Sequence, residues 1–201
     1  AFWSPHPQRF PRGLDATAAA AKAAGLGLGL WFAPDSADDF ANWRKDADTV
    51  LAMWRTHGVR HVKIDGVKAH TRTSEENLRA FFHAVLRGSA GALVFDLDIT
   101  AEVRPGYFGA VEVGPLFVEN RYSDWRRWFP HATLRNLWQL AWHVPTQRLR
   151  VEFLYPARNA EQYAGDPLAP AAYPLDYAFA TTLVACPLGW FEVSSVPEPM
   201  V

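Results

Sequence analysis

The sequence predicts an α/β fold of parallel β/α units and, more narrowly, an incomplete (β/α)8 TIM barrel. Short apolar strands begin near residues 26, 59, 92, 115, 148 and 188. Stretches with helical periodicity separate them, and that alternation is the signature of parallel β/α units. The placement of polar residues then favours a barrel over an open sheet. Carboxylates recur where the strands end: Asp35, Asp65, Asp96 with Asp98, and Glu119 or Asp124. In a barrel those ends share one face, and the active site lies there. Six strands are too few to close an eight-strand barrel. The chain begins at Ala1 rather than Met and is read as a segment of a longer protein, residues 1–201 forming one partial catalytic barrel.

The elements follow in order. Asp15–Ala24 is an alanine-rich helix with Gly25 as its cap, and Leu26–Phe32 is a strand. Gly25, Gly27 and Gly29 do not make a dinucleotide fingerprint, because they precede and lie within the strand instead of leading from it into a helix. Asp46–His57 carries Val50, Leu51, Met53 and Trp54 at helical spacing and ends at Gly58. Val59–Asp65 is the next strand, and Ser74 is expected to cap a helix running to Leu86. Ala92–Asp98 is the third strand and Pro115–Glu119 the fourth. A helix over Thr133–Trp142, a strand over Arg148–Leu154, a helix over Asp176–Ala185 and a strand over Gly189–Val193 complete the pattern.

Composition narrows the function classes. Hydrophobic residues are 49% and charged residues 20% of the 201, as in a folded globular chain. A net charge of -1 with scattered Lys and Arg gives no nucleic-acid footprint and no polybasic membrane patch. No apolar run is long enough to span a bilayer. The single cysteine, Cys186, permits no internal disulfide and lends no support to secretion. Nine tryptophans are read mostly as core anchors, although an indole exposed in a cleft would stack on the apolar face of a sugar.

The acids are then matched to a chemistry. None of the seven histidines forms an HExxH pair, and His61 is read as a structural residue facing the outer helix layer. Asp96 and Asp98 could hold a cation, but hydrogen bonds to ligand hydroxyls explain them equally well, and no metal is expected. A Gly-x-Ser-x-Gly elbow is lacking, and Cys186, placed at an apolar helix end before Pro187, is read as buried and inert. A Schiff base at Lys63 stays open. However, Lys63 and Asp65 point the same way on one strand, and an ammonium beside a carboxylate favours its ionised form. That suits attack on an anomeric carbon, with a second carboxyl acting as acid and then base. Asp65 supplies the nucleophile. Asp124 or Glu119 supplies the second group.

Three motifs in order give these residues a family context. Phe10-Pro11-Arg12-Gly13-Leu14, Gly29-Leu30-Trp31-Phe32-Ala33-Pro34-Asp35 and Val62-Lys63-Ile64-Asp65 resemble the Phe-Pro-x-Gly-Leu, Gly-Leu-Trp-Phe-Glu-Pro-Glu and Lys-Trp-Asp of the α-galactosidases of glycoside hydrolase family 36. Tyr122-Ser123-Asp124 is similar to that family's Trp-x-Ser-Asp. The resemblance implies barrel strands three to eight, with the first two strands and the flanking β-sandwich domains outside this chain. It implies a retaining α-glycosidase that releases terminal α-linked sugars from oligosaccharides, with no cofactor, nucleic acid or membrane involved. Asp65 would be the nucleophile and Asp124 the acid/base, with Glu119 the runner-up. Lys63, Arg104, Asp35, Trp31, Asp98 and Asp96 would bind the sugar.

The departures fall around the sugar. Ile64 stands for the tryptophan, Gly66-Val67-Lys68 for Met-Asn-Arg, and Asp96-Leu97-Asp98-Ile99-Thr100 for a glycine-rich loop. A transglycosylase of the raffinose-synthase kind and a non-catalytic carbohydrate-binding barrel remain alternatives.

Overall fold

A computed structural model describes residues 3–99, 105–118, 130–153 and 160–189. The chain divides into two compact units, Ala1–Gly114 and Pro115–Val201. Strands and helices alternate in both, and the strand pairs are parallel in both. This is an α/β architecture.

In the first unit, α1 (Asp15–Ala23) forms on alanine propensity alone and buries none of its residues. Strand β1 (Gly29–Phe32) leads to α2 (Trp43–His57), which turns Ala47, Val50 and Leu51 inward and stops at Gly58 in the left-handed region. Then come β2 (His61–Ile64), α3 (Arg72–Gly88), β3 (Val94–Asp98) and the short α4 (Pro105–Gly109). Strand β2 lies between the other two, and its register sets the faces. Leu30, Val62 and Phe95 form one row, and Phe32, Ile64 and Leu97 form another two residues on. Both rows point toward α3. Phe81 of α3 stacks on Phe32 at 6.1 Å between ring centroids and meets Phe95 at 5.7 Å, while Phe82 meets Phe95 edge-on at 5.1 Å. The chain then returns so close to β3 that a Cβ on Gly114 would stand 2.0 Å from the Phe95 carbonyl oxygen, so only glycine fits there.

The loop after β1 is strained. Asp38, Asp39 and Phe40 are all left-handed, with φ of 48°, 58° and 62°. Such conformations cost on the order of 1–3 kcal/mol each and persist only where contacts over-determine them. Here Phe40 is buried, and the Asp39 carboxylate accepts hydrogen bonds from Ser74 Oγ at 2.6 Å and Thr71 Oγ1 at 2.9 Å. Asn77 Nδ2 also donates to the Asp39 carbonyl at 2.9 Å. The loop is therefore clamped to the start of α3.

The second unit contains β4 (Leu116–Val118), α5 (Pro130–Leu140), β5 (Leu149–Phe153), α6 (Leu175–Ala180) and β6 (Cys186–Gly189). Strand β5 lies between β4 and β6. Leu116, Phe117, Leu137, Leu149 and Val151 are buried, and Tyr163 and Ala178 form a smaller cluster with Ala169 and Tyr173.

Several boundaries differ from the expectation. Strand β1 starts at Gly29, not Leu26. Helix α2 starts at Trp43, because Asp46 lies inside it and turns its carboxylate to the Trp3 indole N–H at 2.7 Å and the Asp35 amide at 3.1 Å. The cap of α3 is Thr71, whose hydroxyl oxygen accepts from the Ser74 amide at 3.0 Å; Ser74 itself is buried in the first turn. Helix α6 ends at Ala180, and Cys186 opens β6 as a half-buried residue instead of closing a helix as a buried thiol. In sequence, Pro187 suggests a helix end. Among the described residues β6 pairs with β5 alone, and an edge strand tolerates the missing N–H.

Candidate functional site

The site is built on the other face of β1–β2–β3. Alternation sends Trp31, His61, Lys63, Asp96 and Asp98 away from the phenylalanine layer. Asp65 follows β2 directly, its amide donating to the Phe32 carbonyl at 3.2 Å. Gly66 then turns with φ 66°, a conformation that L side chains rarely adopt, and donates its N–H to Asp65 Oδ1 at 2.6 Å. One oxygen of Asp65 is thereby fixed by backbone. The other faces Lys63.

Lys63 is the centre of the cluster. Its ammonium donates to Asp98 Oδ2 at 2.7 Å, lies 3.4 Å from Asp65 Oδ2, and stands 4.3 Å from the centroid of the Trp31 ring. The lysine is 7% exposed, whereas Trp31 is 62% exposed. A desolvated ammonium beside two carboxylates and an aromatic face is well compensated. The arrangement offers a ligand acceptors, one donor and an open indole plate within a few ångströms.

His61 departs from the expectation. It occupies the same face as Lys63, not the helix layer, because residues two apart on a strand point the same way. Its Nε2 donates to Asp96 Oδ2, and Asp96 is buried. The spacing His61, Lys63, Asp65 carries this signal in the sequence, because residues two apart on a strand share a face.

Asp35 takes a different place from the other acids. Its Oδ1 accepts from the Ala37 amide at 3.2 Å and its Oδ2 from Asn42 Nδ2 at 2.8 Å, so it closes the loop that follows β1. Arg104, Glu119 and Asp124 lie outside the described residues. A carboxylate missed by the sequence reading is Glu152 near the end of β5, fully buried and on the same strand face as Arg150. The rule used for Asp65, an acid near the end of an apolar strand, would have selected it.

Two acids beside this site titrate unusually. Burial raises Asp46, against hydrogen bonds from Trp3 and the Asp35 amide that lower it. The hydroxyls of Ser74 and Thr71 hold Asp39 below the usual carboxylate range. Among the described residues no group of three or more His, Cys, Asp or Glu is placed to hold a metal, and no helix is long and apolar enough to cross a membrane.

No protein-family model matches the chain, and no curated protein does. Among solved structures it is similar to a mandelate racemase/muconate lactonizing enzyme from Sulfitobacter sp, with a TM-score of 0.39 and 15% identity over 62% of this chain. The match spans 33% of that structure's chain.

Proposed function

We propose that this chain is part of the catalytic barrel of a retaining α-glycosidase, α-galactosidase-like, acting on terminal α-linked sugars of oligosaccharides. The observation that carries the reading is the Lys63–Asp65–Asp98 cluster beside the exposed Trp31, on one sheet face at the strand ends. The six strands would correspond to barrel strands three to eight. Asp65 would attack the anomeric carbon with the oxygen that faces Lys63, while the Gly66 amide holds the other. Lys63 and Asp98 would bind sugar hydroxyls, and Trp31 would stack on the ring. Asp124, with Glu119 as the alternative, would protonate the leaving oxygen and later activate water. Arg104 would assist at the sugar, and Asp35 would act through its loop.

Aryl α- and β-glycosides tested with the full-length protein give the first readout. Asp65→Ala should abolish turnover with the fold intact, and external azide should restore cleavage of an activated substrate as the inverted glycosyl azide. Unchanged turnover in that variant would overturn the assignment. Asp124→Ala should impair alkyl glycosides far more than dinitrophenyl glycosides, because good leaving groups need little protonation. The same pattern in Glu119→Ala instead would transfer the role.

A further inference from the structure

The loop that follows β1 is held at two points by carboxylates in different surroundings. At its start the Asp35 amide donates to Asp46 Oδ2 at 3.1 Å. At its far end Asp39 accepts from Ser74 Oγ at 2.6 Å and Thr71 Oγ1 at 2.9 Å. Asp46 is fully buried, and its other oxygen, Oδ1, accepts from the Trp3 indole N–H at 2.7 Å. Both partners of Asp46 are donors. A carboxylate can meet two donors, one on each oxygen. A carboxylic acid keeps one good acceptor oxygen, and its hydroxyl would face an N–H that accepts nothing. Protonation must therefore break one of the two bonds. The longer one, to Asp35, is the weaker, so the proton settles on Oδ2.

We propose that Asp46 is a proton-operated latch: on protonation it releases the Asp35 amide, with Trp3 still bound and Asp39 still clamped to α3. Asp38, between the two holding points, is left-handed with φ 48°, so the released segment has strain to relieve. The surrounding groups set the order of events. Burial and, less strongly, the like charge of Asp35 raise Asp46 above 3.8. The N-terminal segment presents the uncharged Trp3, and on α2 itself the Lys45 ammonium lies 3.7 Å from the centroid of the Trp3 ring. Asp39 shifts the other way, held below 3.8 by the hydroxyls of Ser74 and Thr71. As pH falls, Asp46 takes its proton first and Asp39 last. A carboxyl whose folded value is raised binds its proton more readily in the native state than in the unfolded chain. Protonation of Asp46 therefore opens the latch without itself unfolding the protein. The latch goes beyond the glycosidase reading and does not depend on it.

The test is a pH titration of the full-length protein by NMR. It follows the carboxyl carbons of Asp46 and Asp39 and the exchange protection of the Asp35 amide. Protection, taken relative to the intrinsic exchange rate at each pH, should fall about tenfold through the Asp46 midpoint, as loss of one hydrogen bond to a charged group does. That midpoint should lie above the one for Asp39. In Asp46→Asn, whose amide keeps one acceptor oxygen, protection should be low at every pH and show no step. Asp39→Asn should keep the step. Asp35 protection that stays level while the Asp46 carboxyl titrates overturns the proposal. So does a step that survives in Asp46→Asn, or one that vanishes in Asp39→Asn. If Asp46→Asn does not fold, the titration of the parent protein decides alone.

Discussion

The two faces of β1–β2–β3 are made by alternate residues of the same strands, yet they are governed by different physics. On one face Phe32, Ile64, Phe95 and Leu97 close against Phe81 and Phe82, and three of those four strand residues are essentially inaccessible. On the other, Trp31 is open to solvent, Lys63 meets Asp65 and Asp98, and His61 meets Asp96. The apolar face gains from any close-packed filling of about the right volume. The polar face gains only where its buried donors and acceptors are matched. The first face explains why the sheet is stable; the second presents the polar groups on which the proposed function rests.

That division can be broken most severely at Phe81. Phe81→Ala removes a fully buried ring touching Phe32, Phe82 and Phe95, and should lower unfolding stability by about 3–5 kcal/mol in urea denaturation. Any function should fail with the fold, in contrast to Asp65→Ala. A Phe81→Ala protein of unchanged stability would mean that the aromatic layer is not what holds the sheet.

A smaller effect sharpens the boundary between the faces. Asp39 ties the loop after β1 to α3, and hydrogen bonds lower its pKa from 3.8. A depressed folded value means that the native state binds its proton less readily than the unfolded chain. Its contribution is therefore complete above the unfolded value and fades as pH falls through the folded one. Asp39→Asn should lose stability at neutral pH and show a weaker acid-induced decline than the parent. Parallel pH profiles of urea midpoints for the two proteins would contradict this. The smallest effect belongs to Arg72 and Glu76, an exposed pair at 2.8 Å spaced i,i+4 on α3. Arg72→Ala should leave the urea midpoint almost unchanged, because solvent screens such a pair. A larger loss would reveal a contribution to the helix that the pair's exposure hides.

The elements and their order were legible because apolar runs and glycine stops are local signals. Gly58 ends α2 where the pattern places its end. Ends set by tertiary contacts were not legible. Asp46 looks like a helix-starting acid in sequence, but in the fold it is a buried acceptor for Trp3 and the Asp35 amide. Pro187 reads as a helix stop, yet edge pairing makes it part of β6. At the candidate site, the spacing of Lys63 and Asp65 sufficed to put them on one face. The bond from Lys63 to Asp98 was not legible, because it depends on how two strands are aligned.

Strand order in each unit follows chain order, with β2 between its sequence neighbours and β5 between its own. Each pairing therefore closes a loop of about thirty residues, and none waits for a distant part of the chain. A nascent chain emerging from the ribosome can add each strand to an edge already formed, β2 to β1 and then β3 to β2. The aromatic layer needs only α3 and β3 to follow, so the first unit has its core sequence complete once Gly114 is synthesised. Until the next strand arrives, the open edge of the growing sheet, more than its buried face, is the surface at risk of pairing with another chain.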